Sequence, residues 1–349
     1  MSALVDGVRR IAVLRANALG DLLLALPALE ALRRAYPVAR ITLLARSWHA
    51  DLLTGRPGPV DEVIALPPIS GVSEAADGHR APDDLFDELR GHRFDLAVQI
   101  HGGGRYSNPF VRRLGARVTA GLCSPDAERL DRWVPYVYYQ HEVLRYLEVA
   151  SLVGATTDAV EPRLAVTDAD RAELARVLGE PRPGLVALHP GASDPRRRWP
   201  AERFAAVADR LGRPVVITGT GKERDVVEEV AAATGTSSVQ VVDMLSVGGL
   251  AALYERCALV ISNDSGPRHL AAAVGTPTIG IYWCGNLVNA GPLTRTRHRP
   301  LVSWTAACPV CGASGVDLTV ARCPHDASWV AEVTVDEAAE QAADLLGLG

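Results

Sequence analysis

Ala258-Leu-Val-Ile-Ser-Asn-Asp-Ser-Gly-Pro-Arg-His-Leu-Ala-Ala-Ala-Val274 reads as a strand, a turn and a helix in immediate succession. The run 258–262 is apolar without alternation, as in a parallel strand buried on both faces. The turn Asn263 to His269 is built from small and polar residues, and Leu270–Val274 opens a helical stretch. Such a join places the first free N–H groups of a helix above a strand end, where the helix dipole also favours negative charge. Within this turn Ser265 and Gly266 lie at the helix start, Gly266 lets a ligand come close to the backbone, and Arg268 and His269 offer further donors. The ligand expected is a phosphate or diphosphate.

The same alternation runs along the whole chain. In the first half, strands are expected at Ile11–Ala16, Ile41–Arg46, Glu62–Leu66 and Asp95–Ile100. Helices are expected at Asp21–Ala35, with Pro27 kinking it or ending a short first turn, and at Gln140–Val153. Residues 67–82 read as a surface loop. Gly154–Pro162 and Leu178–Gly184 are small and polar and mark a seam, with a helix over 168–178 between them. Strands then resume at Leu185–His189, Val215–Thr218, Val239–Val242, Ala258–Ser262 and Thr278–Tyr282, the last closing the sheet. Helices are expected at Ala201–Leu211 and Lys222–Thr234, and a final one, Asp336–Leu346, is capped by Thr334 or Asp336. Two serial βαβ arrays predict an α/β protein of two doubly wound, Rossmann-like domains facing across a cleft. Ligands then sit outside the C-terminal ends of the strands.

Composition narrows the function. The 349 residues are 48% hydrophobic but only 5% aromatic, so the cores rely on Ala, Val and Leu. A net charge of −5 provides no pull towards nucleic acid and at most peripheral contact with a membrane. No apolar run has the length of a bilayer span, and residues 1–10 lack the apolar region of a signal peptide. The compartment expected is the cytoplasm. Six cysteines in a chain of this length do not make a disulfide scaffold.

Four loop motifs lie at expected strand ends: Asn17-Ala-Leu-Gly20-Asp21, His189-Pro-Gly-Ala-Ser193 with Arg197-Arg-Trp-Pro200, Gly219-Thr-Gly-Lys-Glu223, and Asn263-Asp-Ser-Gly-Pro-Arg-His269. In this order the chain resembles glycosyltransferase family 9, the ADP-heptose:lipopolysaccharide heptosyltransferase type with the GT-B fold. The resemblance implies domains at 1–160 for the acceptor and 161–335 for the nucleotide-sugar donor. The terminal helix 336–349 can pack back on the first domain. It also implies an inverting, metal-independent transfer of a sugar, such as heptose, from a nucleoside diphosphate, such as ADP, to a glycan or lipid-linked saccharide of the cell envelope. On spacing alone Asp21 is a first-turn cap; the resemblance makes it the catalytic base that takes the proton of the acceptor hydroxyl. Asn17, Gly20 and His101 would face the acceptor. Arg197, Ser193, Gly219, Lys222, Asp243, Asp264, Ser265, Gly266 and His269 would bind the donor. Arg197 stands where the family usually has lysine, and the two cations differ in shape.

Other motifs fail on their own terms. Gly219–Lys222 lacks the first glycine of a Walker loop, because Val216 occupies that place, and Glu223 replaces the required Ser or Thr. His101-Gly-Gly-Gly104 resembles an esterase oxyanion loop, but no Gly-x-Ser-x-Gly elbow accompanies it. Asp168-Ala-Asp170 has the form of a metal-binding pair but sits where a helix would be capped. Cys308-Pro-Val-Cys311 and Cys323-Pro-His325 have the donors of a structural zinc or iron site, or form a set of reduced thiols around a packed loop. No cofactor is expected for the chemistry itself. Two other functions fit the same loops: a nucleotide-sugar-binding protein without transferase activity, and a GT-B-type nucleotide-sugar epimerase. Dependence on an acceptor separates transfer from both.

Overall fold

The structure, a computed structural model, describes residues 3–73, 78–180 and 182–348. Residues 74–77 of the expected 67–82 loop, and Pro181 of the break at 178–184, lie outside the described residues. The chain divides into two compact units, Met1–Ala165 and Val166–Gly349. The division falls a few residues after the boundary expected at 160.

The first unit contains β1 (Arg10–Leu14), β2 (Arg40–Ala45), β3 (Glu62–Ala65), β4 (Leu96–Gln99), β5 (Val118–Cys123) and β6 (Arg132–Pro135). They form one sheet in the order β3-β2-β1-β4-β5-β6, every neighbour parallel. Val13 pairs with Leu43 on one side and Val98 on the other. Every residue of β4 is buried, as are Ile11 to Leu14 of β1. That explains why these strands read as unbroken apolar runs rather than alternating ones.

The second unit repeats the plan with β7 (Val186–His189), β8 (Val215–Gly219), β9 (Ser238–Val242), β10 (Leu259–Asn263), β11 (Thr278–Trp283) and β12 (His298–Ser303). The order is β12-β11-β10-β7-β8-β9, again all parallel. Its core joins Val186, Leu188, Ile261 and Ile281 to Trp199 and Phe204, whose rings meet edge to face at 5.1 Å. Within each sheet the winding direction reverses next to its first strand, between β1 and β4 and between β7 and β10. In open α/β sheets that reversal point is where ligands bind.

Several expectations need correction. Thr278–Tyr282 does not close its sheet, because β12 pairs outside it. The terminal helix, Val335–Leu346, lies in the second unit and packs into that unit's own core. Ala338 and Ala342 are buried in that unit's core, and Arg210 pairs with Asp336 at 2.5 Å. Thr334 caps this helix by accepting the Glu337 N–H at 3.2 Å. The helix Leu19–Ala35 continues through Pro27, which is buried within it, and begins two residues before the expected Asp21. Asp168 and Asp170 lie in a helix capped by Thr167, and Asp170 accepts the Thr167 N–H at 2.8 Å.

Candidate active site

In the first unit the loop after β1 turns at Ala16–Ala18 into the helix Leu19–Ala35. Ala18 has no side chain with which to cap that helix, so Asp21 does the work from the third helical position. Its Oδ2 accepts the Ala18 N–H at 3.1 Å. Its Oδ1 pairs with Arg15 Nη2 at 3.0 Å. Arg15 is only 2% exposed while Asp21 is 36% exposed, so the carboxylate is held from behind and open in front. Arg15 also donates to the carbonyls of Asp21 (3.1 Å) and Ile100 (2.7 Å), and its guanidinium lies 4.7 Å from the Tyr146 ring centre. A second carboxylate, Glu142, lies 3.8 Å from Arg15 and pairs with Arg145. Burial raises the Glu142 pKa, opposed by the charges of Arg15 and Arg145. Beside Asp21, the side-chain oxygen of Asn17 is buried without a hydrogen-bond partner.

His101, expected to face the acceptor, is buried and engaged by the backbone. Its Nδ1 accepts the Ala16 N–H at 3.2 Å, and the ring is also hydrogen-bonded to the Gly71 backbone. Burial, followed by the charge of Arg15, lowers its pKa to about 3. The glycine loop after β4 is organised by Gln99, which donates to the carbonyls of His101 (2.6 Å) and Gly102 (3.1 Å) and accepts the Leu122 N–H (3.0 Å). Gly104 has φ +101°, and a Cβ there would meet the Asn108 amide and lie 2.8 Å from the Leu122 carbonyl oxygen. This is a structural turn that lets the next helix pack.

In the second unit, β10 delivers Asn263 and Asp264 beneath the helix Gly266–Ala273. Asn263 Oδ1 accepts the Trp199 N–H at 3.0 Å and its Nδ2 donates to the Pro190 carbonyl at 2.7 Å, tying both ends of the loop after β7 to the end of β10. Asp264 is buried; its Oδ2 meets Arg197 at 3.3 Å and Asn286 at 2.6 Å, and its Oδ1 lies 3.6 Å from His269 Nε2. Burial would raise this carboxyl, but the hydrogen bond from His269 and the charges of His269 and Arg197 outweigh it and hold the pKa below the ordinary range. Arg197 also donates to Ser193 Oγ at 2.7 Å. Ser265 stands at the N-cap, its Oγ 3.1 Å from Ser262 Oγ. Pro267 has no N–H, so Gly266 and Arg268 present the first-turn amides.

The Arg268 side chain is not the donor expected. It is buried, lies 5.6 Å from the Tyr282 ring centre and hydrogen-bonds the His269 ring at Nδ1. His269 is therefore engaged by Arg268 on one nitrogen and Asp264 on the other, and it braces Asp264 rather than pointing outward. At the end of β8, Gly219 leads to Gly221, whose N–H donates to Asp243 Oδ2 at 2.7 Å. Asp243 adopts φ +51°, uncommon for a residue other than glycine. Lys222 is exposed. His189 is buried, its Nδ1 3.1 Å from Thr218 Oγ1, and burial lowers its pKa. A cavity of about 400 Å³ lined by Arg10, Arg40, Glu62 and His92 opens at the opposite, N-terminal ends of the first sheet's strands, away from these loops.

Residues 83–306, well over half of the chain, match the family described as glycosyltransferase family 9 (heptosyltransferase). The chain belongs to glycosyltransferase family 9. Lipopolysaccharide heptosyltransferase 2 of Salmonella typhimurium is 27% identical over 296 residues, covering 78% of this chain and 82% of that one. Among solved structures, the family 9 glycosyltransferase from Veillonella parvula superposes with a TM-score of 0.78 at 23% identity, covering 98% of each chain. E. coli ADP-heptose lipopolysaccharide heptosyltransferase II gives 0.74 at 20% identity, covering 97% of this chain and 99% of that one. These two structural likenesses bear on the fold, which is GT-B. The protein is a glycosyltransferase, and the family motifs in its sequence lie at C-terminal strand ends, three of them beside the reversal points.

One further cluster lies in the second unit of this family member. The ligand atoms of Cys308, Cys311, Cys323 and His325 all lie within 4.8 Å of one another, with Cys308 Sγ 3.8 Å from His325 Nδ1. The N–H groups of Cys311 and Val310 directed at Cys308 bring its pKa down to about 6, against the effect of burial. Arg15, Glu142 and Asn286 are site neighbours that sequence reasoning missed. A lone arginine ending an apolar strand was a usable signal for Arg15; nothing in the sequence linked Glu142 to it.

Proposed function

We propose that the protein transfers a heptose, with inversion, from ADP-heptose to a lipopolysaccharide core saccharide in the cytoplasm. The observation that carries this reading is the Asp21 carboxylate, fixed by Arg15 and the Ala18 amide yet open on one side at the ligand end of the first sheet. The sugar and acceptor are taken from the relatives' named activities. Among the described residues no helix is long and apolar enough to cross a membrane, so contact with the lipid-linked acceptor is peripheral in this reading.

Asp21 acts as general base, removing the proton of the acceptor hydroxyl as its oxygen attacks the anomeric carbon and the bond to the diphosphate breaks. Asn17 orients the acceptor through its unpartnered oxygen, and Gly20 leaves room for it. In the second unit the amides at Gly266 and Arg268, the Ser265 hydroxyl and Arg197 receive the diphosphate, whose charge grows as the bond breaks. Asp264, braced by His269, sets the direction of Arg197, and Ser193 holds its other edge. Gly219, Lys222 and Asp243 border the nucleotide. In this reading no metal ion takes part in the transfer.

The cysteine cluster holds a structural zinc or iron ion. Tetrahedral ligands at bond lengths of ~2.0–2.3 Å stand about 3.4–3.8 Å apart, and the observed separations need only a small inward shift. Three thiolates and an imidazole leave no open position for catalysis.

Incubation of the purified protein with ADP-heptose and a heptose-deficient core acceptor tests the main reading. ADP release that requires the acceptor, with a heptose gained by the acceptor, is expected. Release without acceptor, or none with any nucleoside-diphosphate heptose, would refute it.

A further inference from the structure

The cysteine cluster and the turn that carries Arg197 are joined by a short strap, residues 322–329. Arg196 and Arg198 flank Arg197, and both of their carbonyls are held from this strap. The Trp329 N–H donates to the Arg196 carbonyl at 2.7 Å, and Ser328 Oγ donates to the Arg198 carbonyl at 2.6 Å. The Arg196 guanidinium lies 5.1 Å from the Trp329 ring centre. Arg322, the neighbour of Cys323, lies 3.6 Å from Asp194, which itself accepts the Arg196 N–H at 3.1 Å. The turn is a single 3-10 segment, Pro195–Arg197, and has little stiffness of its own.

We infer that the metal-bound cluster is a positioning device for the donor diphosphate: it fixes the 322–329 strap, and the strap fixes the peptide planes that aim Arg197 at Asp264 and Ser193. This rests on the metal reading given above. Between 315 and 328 the chain has no helix or strand among the described residues and is largely exposed, so it buries too little to order itself. The cluster is the element able to supply that order. On one side, the Cys308–Cys311 turn is closed by the Cys308 N–H to the Ala313 carbonyl and the Gly312 N–H to the Cys308 carbonyl, both 2.8 Å, with Gly312 at φ +73°. On the other side are Cys323 and His325, just before the residues that grip Arg196 and Arg198. A metal linking the two sides closes the strap into a loop anchored at both ends. At the far end, Ser303 Oγ holds the Trp329 carbonyl at 2.6 Å. The cluster thereby acts on donor binding while remaining outside the chemistry.

The test compares the full-length wild type with three variants: Cys311→Ser/Cys323→Ser, Ser328→Ala and Arg197→Ala. Metal content is measured by mass spectrometry, ADP affinity by calorimetry and folding by circular dichroism. Wild type should carry one zinc or iron per chain. The double cysteine variant should lose the metal, keep its secondary structure and bind ADP about tenfold more weakly, as Arg197→Ala does. Combining the two should cause no further loss, because both remove the same contact. Ser328→Ala should keep the metal and still weaken ADP binding about threefold, and it remains informative if the cysteine variant fails to fold. Metal loss with unchanged ADP affinity, additive losses, or normal ADP binding by Ser328→Ala would each overturn the inference. A wild type that binds ADP but no metal would remove the metal reading and this inference with it. One that carries metal but binds no ADP would remove the donor reading first, and the inference falls with it.

Discussion

Replacing Asp21 with asparagine removes one charge and almost no volume, which makes its two consequences separable. The carboxylate serves two donors, the Ala18 N–H at 3.1 Å and Arg15 at 3.0 Å. Asparagine has one side-chain oxygen, so one donor must face the amide NH2 group. If the cap is kept, the buried Arg15 loses its nearer partner and keeps Glu142 at 3.8 Å. Arg15 and Asp21 form an ion pair whose carboxylate is 36% exposed, so its loss is worth about 1 kcal/mol. In a unit spanning Met1–Ala165 that lowers Tm by about 2–4 °C. Loss of a general base lowers kcat by about 10²–10⁴. The residues proposed to bind the donor lie in the other unit, so ADP affinity should change by less than about twofold. Kinetics measured well below the lowered Tm, together with calorimetric ADP titration, keep stability and chemistry apart. A kcat reduced by less than about tenfold, or an equal loss of ADP affinity, would refute the base role.

His49 and His101 are buried and neutral, with pKa values lowered to about 4 and about 3, chiefly by burial. Their unfolded values are about 6.5, so as pH falls below that the unfolded chain binds two protons that the folded unit does not. Stability is therefore intact above pH ~6.5 and should fall by about 3 kcal/mol by pH ~5.5 in urea titrations. His49→Gln, which can still reach back to the Arg46 N–H, should halve that loss; an unchanged pH slope would count against the buried-neutral state. Asp264→Asn should weaken ADP binding about tenfold by freeing Arg197, read by calorimetry; unchanged affinity would detach Asp264 from the donor. Gly104→Ala should destabilise the first unit by about 1–3 kcal/mol in urea, since φ +101° and the Leu122 carbonyl both oppose a Cβ; a stability change near zero would contradict that geometry.

The strands at the reversal points were legible because both faces are buried, which leaves unbroken apolar runs such as Val186–His189 and Leu259–Asn263. Three strands further out, β5, β6 and β12, were not. Val118-Thr-Ala-Gly-Leu-Cys123 contains a glycine at which a Cβ would lie only 2.7 Å from the Gln99 side chain. Arg132-Trp-Val-Pro135 and His298-Arg-Pro-Leu-Val-Ser303 are edge strands, half-buried, with polar residues and proline that a central strand would exclude. The helix Cys284–Ala290, which supplies Asn286, is too short to show a period. In the site, the motifs announced which loops matter but not where each side chain points. Arg268 and His269 are adjacent donors in sequence; only the packing of the Gly266–Ala273 helix against Tyr282 turns the arginine inward and hands the histidine to Asp264. His101 was hard to place for a related reason, since a histidine beside three glycines gives no sign that its ring is hydrogen-bonded to the backbone.

Among the described residues, every strand pairing within the two sheets is made inside one unit. Each half thus carries a complete sheet with its own reversal point. A recombination event at the Ala165–Val166 junction would break no ladder and would exchange one whole set of strand-end loops for another. Exchange of halves at that seam would replace one set of strand-end loops while leaving the other as it was. The same seam gives an engineer a place to graft one member's half onto another's without redesigning a core.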